Sequence, residues 1–320
     1  MTPQYLRLGA TLYVPATRPD VAAVANGERL PNVRSVIVCT EDSVHPAQVQ
    51  AALESLSDSL PRLRDDGPRV FVRPRSPEVL DRILAMPGIE RVAGFVLPKS
   101  TVDSLTAYAA QVPDGFTLMP TLETPDVFDP GAMVALRAWL QASELRPRIL
   151  AIRVGGNDIL NLLGIRRRPG RTIYDTAAGP VVASLVAAFH PFGFAVTAPV
   201  FDDFGDLDTL RAEVSRDLDH GLMSKSAIHP AQIEPIEQGY RVPRGDVEAA
   251  RRILDPHAKA VFQVDRVMCE PATHTRWARM IVERAEAFGI EPPDTEPAAP
   301  RDASRDTPQD APLGRRLALP

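Results

Sequence analysis

Eight times along this chain a short apolar run rich in β-branched residues gives way to a longer segment with apolar residues at helical spacing. The runs are Gly9 to Ala16, Ser35 to Asp42, Arg69 to Arg73, Ala93 to Lys99, Phe116 to Glu123, Ile149 to Asp158, Phe194 to Phe201 and Leu222 to His229. Amphipathic segments lie between them, such as Ala47 to Leu60, Pro77 to Met86, Val102 to Gln111, Pro130 to Ala142, Ala178 to Phe189 and Leu207 to His220. Strands joined by helical crossovers run parallel. Eight such units, over a length near the roughly 250 residues typical of the architecture, indicate an α/β fold, a (β/α)8 TIM barrel spanning residues 1–240. A doubly wound open sheet is the main rival. Its dinucleotide-binding form loses ground because no G-x-G-x-x-G follows the first run.

Barrel sites form at the C-terminal ends of the strands. In this chain those ends supply Pro15, Arg18, Glu41, Asp42, Arg73, Lys99, Glu123, Asp158, Asp202, Asp203 and His229. Glu123 and Asp158 close adjacent parallel runs and so share one rim. Two uncompensated carboxylates that close repel each other, so the arrangement asks for a cation between them. Hard oxygen ligands with room for waters favour Mg²⁺. The site this predicts is a metal centre binding a small oxyacid. Each residue also has a plainer role. Glu123 and Asp158 can cap the following helices, Arg73 can pair with Glu41 or Asp42, and His229 can cap the last strand. Lys99 reads as an ion-pair lysine rather than a Schiff-base nucleophile, since nearby acids raise its pKa. The run Arg166 to Arg168 reads as a solvated loop or an anion contact at the mouth, and Asp202 and Asp203 as loop-ordering or ligand-bonding groups. Trp139 and Trp277 fall within helical patterns and read as packing residues.

Composition narrows the function classes. A net charge of -5, with Lys and Arg scattered through the 320 residues, gives no general attraction to nucleic acid. Two cysteines, Cys39 and Cys269, are too few for a disulfide framework and lack zinc-site spacing. The first residues show no signal pattern, and no uncharged run reaches the roughly 18 residues of a membrane span, so a cytoplasmic protein without membrane contact is expected. After the barrel, residues 241–290 read as two helices, Asp246 to Leu254 and Thr273 to Phe288, around a strand-like AVFQVDRVMCEP. This extension looks too small to bury its own core and is expected on the barrel mouth or on a neighbouring subunit. Residues 291–320, dominated by Pro, Ala, Asp and Arg, are expected to be disordered.

The ordered set LYVPATRP, VIVCTEDSV, VFVRPRS, GFVLPKS, TLETP, RVGGNDILNLLG and SAIHPAQI resembles the citrate lyase beta-subunit-like branch of the HpcH/HpaI aldolase family. That family belongs to the phosphoenolpyruvate/pyruvate TIM-barrel superfamily, and the likeness runs from about Leu12 to Gly289. It implies a Mg²⁺-dependent enzyme that makes or breaks a carbon-carbon bond beside a carboxylate or thioester carbonyl. By position, Glu123 and Asp158 are similar to the metal ligands. Arg73 resembles the arginine that clamps the substrate carboxylate and steadies an enolate oxygen. Glu41 and Asp42 match the acidic pair after the second strand, while Gly155, Gly156, Asn157 and Pro199 fall among the implied substrate contacts. Glu270 stands where the family carries an acid donated to a neighbouring subunit's site, which implies a homo-oligomer, a trimer or hexamer. VDRVMCE departs from the family's VDGKMID, CTED from its DLED, and HPAQVQAAL lacks the usual basic residues. CoA thioester use therefore stays open. So do a thioester hydrolase on the same site and a non-catalytic ligand-binding subunit of a biosynthetic or stress-response complex.

Overall fold

The computed structural model describes residues 2–30 and 32–292. Eight strands form where the apolar runs predicted them: β1 Ala10–Pro15, β2 Ser35–Cys39, β3 Arg69–Arg73, β4 Gly94–Leu97, β5 Thr117–Leu122, β6 Ile152–Val154, β7 Val196–Thr197 and β8 Lys225–Ala227. From β1 to β7 each pairs in parallel with the next, and β8 pairs with β1 through Ala10↔Lys225, Thr11↔Ser226 and Leu12↔Ala227. The bridge Ala198↔Lys225 joins β7 to β8 and closes the barrel.

The period of two along each strand divides the apolar side chains into two cores. Leu12, Val36, Val38, Val70, Val72, Phe95, Leu118 and Ile152 face outward and pack under the helices. Ile37, Phe71, Val96, Met119 and Ala151 face inward and fill the barrel axis. One step further along, the inward positions turn polar, with Cys39, Arg73, Thr121 and Arg153. The functional end is therefore set by where the inward series changes character.

The outer ring is α1 Val21–Ala25, α2 Val49–Ser59, α3 Pro77–Leu84, α4 Val102–Ala109, α5 Pro130–Ala142, α6 Gly156–Leu162, α7 Gly179–Phe189, α8 Leu207–Asp219 and α9 Ile233–Gly239. Local chemistry fixes several starts. Ser76 accepts from the Val79 N–H at 3.3 Å, Thr101 and Ser104 form a reciprocal capping box, and Asp206 accepts from the Thr209 N–H at 3.0 Å. The sixth run needs correcting. The strand expected to continue to Asp158 ends at Val154, and α6 begins at Gly156, so Asp158 lies in the first turn of a helix.

The extension comprises α10 Arg244–Ile253, a hairpin of β9 Phe262–Val264 and β10 Val267–Cys269, and α11 Pro271–Phe288. The hairpin turns on Asp265 and Arg266, both left-handed with φ of 44° and 68°, as a tight two-residue connection between twisted strands requires. Val242, Val247, Ala250, Ile253, Val264 and Ile281 form a separate small cluster, so the extension does bury apolar material of its own. Within the chain it lies away from the barrel mouth. Helix α11 crosses the opposite end, where Trp277, Met280 and Ile281 border a cavity shared with Tyr5, Leu150, Ala195 and Met223, residues that lead into strands. Arg284 Nε donates to the Tyr240 carbonyl at 2.9 Å and Arg276 Nη2 to the His190 carbonyl at 2.8 Å. The physical reason is complementarity: the underside is apolar and the mouth is charged. The tail expected to be disordered lies outside the described residues beyond position 292. No helix among the described residues is long and apolar enough to cross a membrane.

Candidate active site

Arg73 is the last residue of β3, Glu123 follows β5 directly, and Glu41 and Lys99 lie two residues beyond β2 and β4. One nitrogen of Arg73, Nη2, reaches Glu41 at 2.9 Å, Glu123 at 2.9 Å and Asp42 at 3.3 Å. Arg73 Nε is buried without a partner. Lys99 Nζ meets Glu41 at 2.8 Å, Asp42 at 3.6 Å and Asp158 at 3.9 Å. The Lys99 backbone is left-handed, φ 47°, a strained choice for a lysine, and its N–H donates to Glu123 at 2.8 Å. The structure thus brings Glu41, Asp42, Arg73, Lys99, Glu123 and Asp158 to one rim.

These groups perturb one another in definite directions. Burial pushes the Glu123 carboxyl up to about 7; Arg73 opposes this and the charge of Asp158 adds to it. Burial likewise raises Glu41, helped by its hydrogen bond with Asp42. Burial acts to raise Asp42 too, but its bond to Glu41 and the nearby Arg73 and Lys99 bring it below the usual carboxylate range. Burial works to lower Lys99, yet its hydrogen bond to Glu41 and the surrounding acids outweigh it, so Lys99 is held as a cation. A Schiff-base nucleophile needs the reverse shift.

Gly155 and Gly156 serve the site through close packing. A Cβ on Gly155 would lie 2.3 Å from Glu123 Oε2, and one on Gly156 would lie 2.7 Å from Pro199 Cβ. Pro199, expected to touch substrate, therefore packs behind Gly156 and does not border the cavity. A cavity of about 280 Å³ opens at this rim, bordered by Asp42, Arg73, Glu123, Gly155, Asn157 and Asp158. Glu270 is not among its residues; it precedes α11 and accepts from the Thr273 hydroxyl at 3.0 Å.

The remaining rim residues have structural partners. His229 Nδ1 accepts from the Ala231 N–H at 3.2 Å and the ring stacks on Phe204. Asp203 accepts from the Gly205 N–H at 3.1 Å, ordering the seventh loop. Arg167 corrects the expectation of a wholly solvated arginine run: its side chain is buried and pairs with Asp202 at 2.6 Å and Glu213 at 3.4 Å, while Arg166 and Arg168 stay exposed. Trp139 packs against the outer core, whereas Trp277 is partly exposed on α11. Tyr13, Thr121, Arg153 and Ser226 also border the cavity and were missed from sequence. For Arg153 a signal existed: a charge in the middle of an otherwise apolar strand, ILAIRVGG.

A closed parallel barrel with carboxylates, an arginine and a lysine gathered at its C-terminal rim defines a small-molecule site of the TIM-barrel enzyme type. Residues 2–290 match the family described as C-C_Bond_Lyase of the TIM-Barrel fold, and the chain belongs to that family. Among curated relatives, a (3S)-malyl-CoA thioesterase of Cereibacter sphaeroides is 31% identical over 203 residues, covering 61% of this chain and 65% of the relative. The match thus takes in less than two thirds of that relative's length. Among solved structures, CitE from Mycobacterium tuberculosis with magnesium, acetoacetate and coenzyme A has a TM-score of 0.67 at 21% identity, covering 88% of this chain and 99% of that one. The citrate lyase beta subunit from the same organism, with oxaloacetate and magnesium, has a TM-score of 0.57 at 22% identity, covering 74% and 100%. RipC from Yersinia pestis has a TM-score of 0.56 at 21% identity, covering 75% and 96%. Likeness at these identities shows the shared fold.

Proposed function

We propose that this chain is a Mg²⁺-dependent carbon-carbon lyase or aldolase acting on a small 2-oxo or 2-hydroxy acid or its CoA thioester. The observation carrying this reading is the convergence of Glu123 and Asp158 on one cavity beside a buried, permanently charged Arg73. The donor set suits a hard divalent ion. It offers two carboxylates, one of them raised to about 7 by burial and by the other's charge. No group of three His, Cys, Asp or Glu able to form an all-protein cage occurs among the described residues. Glu123 and Asp158 would hold Mg²⁺, with waters and substrate oxygens completing its shell. When bound, the ion supplies Lewis-acid polarisation of the substrate's oxygens.

The chain's own groups do the rest. Arg73 borders the cavity and brings its charge to the place where negative charge develops on a substrate oxygen as the carbon-carbon bond breaks. Glu41 and Asp42 hold Arg73 and Lys99 in place, so the cations need no reorganisation during reaction. Asn157 borders the cavity beside Asp158 and is a substrate contact. Glu270 completes the site from a second copy of the chain, in a homo-oligomer of cytoplasmic setting, because within one chain it stands apart from the cavity. Light scattering that gives a monomer removes that role.

The direct test measures Mg²⁺ affinity calorimetrically and solvent deuterium incorporation into pyruvate or oxaloacetate. Glu123→Gln and Asp158→Asn should each weaken Mg²⁺ by at least about tenfold, in the range found when a metal site loses a supporting group. Unchanged affinity together with no exchange in the wild type overturns the reading. The malyl-CoA thioesterase relatives favour a second reading, hydrolysis of a CoA thioester at the same cavity. Release of CoA with the acyl carbon skeleton intact would establish it.

A further inference from the structure

Below the metal-binding rim the barrel holds a second set of polar groups that this chemistry leaves unused. Arg153 on β6 is in register with Thr121 on β5 and with Thr197 on β7. The three are 1%, 3% and 1% exposed. From its inward position the Arg153 guanidinium donates to Ser226 Oγ on β8 at 2.7 Å and approaches Met119 Sδ at 3.7 Å. It also lies 5.5 Å from the ring centre of Tyr13 on β1. All of these partners are neutral. Arg153 Nε, Thr121 Oγ1 and Thr197 Oγ1 are buried with no hydrogen-bond partner.

Two other buried cations, Lys225 and Arg73, are paired with carboxylates, while Arg284 has two backbone carbonyls as acceptors. Lys225, one residue before Ser226 but facing outward, is neutralised by Glu213 and Asp217, each at 2.9 Å. Arg73 meets three carboxylates. A guanidinium cannot shed its proton, so burying one against neutral dipoles alone is costly until an anion joins it. Arg153, Thr121, Tyr13 and Ser226 border the same cavity as Arg73, Glu123 and Asp158, so an anion there would belong to the substrate.

We propose that Arg153, with the Thr121 hydroxyl, forms a second anion subsite on the cavity floor that binds a carboxylate remote from the one held at the metal. The preferred substrate is then a dicarboxylate. This rests on the lyase reading of the rim, which supplies the first carboxylate's position. A planar carboxylate matches the guanidinium fork, and the threonine hydroxyl offers a third donor.

The test compares pyruvate with oxaloacetate, which differ by the second carboxylate, by calorimetry with saturating Mg²⁺. Wild type should bind oxaloacetate at least about tenfold tighter, the yield of one charge-assisted hydrogen bond. Arg153→Met should bring the two within about twofold while leaving pyruvate and Mg²⁺ affinities unchanged. Equal affinities in the wild type overturn the proposal, as does a preference that persists in Arg153→Met. If that variant does not fold, Arg153→Gln, which keeps a hydrogen-bonding side chain but loses the charge, takes its place with the same two outcomes. Phosphonopyruvate binding about tenfold tighter than oxaloacetate would assign the subsite to phosphate-like groups and overturn the dicarboxylate reading. Failure of the lyase reading registers separately, as wild type that takes up no Mg²⁺; the same comparison without metal then still tests the subsite.

Discussion

Replacing Gly155 by alanine is a sharp probe of the site, because the conflict it creates is purely one of space. Gly155 has φ −83° and ψ 77°, with no left-handed demand that would penalise alanine by itself. The added methyl would stand 2.3 Å from Glu123 Oε2 and 2.5 Å from Glu123 Cβ. Swinging the carboxylate away cannot relieve the second contact, so the start of α6 or the end of β5 must shift. Glu123 is also tied to Arg73 at 2.9 Å and to the Lys99 N–H at 2.8 Å. Overpacking costs about 1–3 kcal/mol, and losing one charge-assisted hydrogen bond costs about 1.5–3 kcal/mol more. The sum is roughly 2.5–6 kcal/mol, a fall in Tm of about 5–15 °C for a chain of this size. Thermal unfolding followed by circular dichroism reads this directly. Calorimetric Mg²⁺ titration should show a parallel loss of at least about tenfold on the proposed function. Gly164→Ala is the control. Gly164 has φ +67° with nothing near its Cβ position, so it should lose only about 1–2 kcal/mol of conformational energy and keep its Mg²⁺ affinity. A Gly155→Ala protein with wild-type Tm would mean that Glu123 is not held as described, and the site built on it would fall.

Other outcomes follow from the buried network and the surface. Lys225→Met removes the cation that Glu213 and Asp217 share and leaves Glu213 only the longer Arg167 contact at 3.4 Å, so urea unfolding should show a loss of about 3–5 kcal/mol; under about 1 kcal/mol would refute the network's role. Arg216 and Thr172 hold the Asp175 carboxyl down at about 2. Its folded pKa lies below the unfolded value near 4, so its contribution is complete above pH 4 and fades as pH falls toward 2. Solvent screening keeps that contribution under about 1 kcal/mol, and the wild-type advantage over Asp175→Asn in urea midpoint should be roughly halved at pH 3 relative to pH 7. A difference that does not vary with pH would refute it.

The chain's sequence by itself determined the barrel. The eight β-branched runs and the amphipathic segments between them specify strands and helices locally, and the crossover rule then leaves little freedom in topology. It also determined the rim chemistry at Glu41, Asp42, Arg73, Lys99 and Glu123, because charged residues directly after buried strands can only emerge at the barrel's end. Tertiary structure decided the rest. Asp158 moved onto α6 because the helix begins at Gly156, where Gly155 and Gly156 leave room for Glu123 and Pro199, and periodicity does not mark where a strand gives way to a helix. Arg167 became a buried partner of Asp202 and Glu213 because α8 passes over it, a contact spanning 46 residues that no local pattern encodes. The extension settled beneath the barrel because the apolar surface that receives it is assembled from Tyr5, Leu150, Ala195 and Met223, residues brought together only by closure. Closure also turned Arg153, an odd charge in one short strand, into a cation facing the floor of a cavity, since only the complete ring of strands defines an inside.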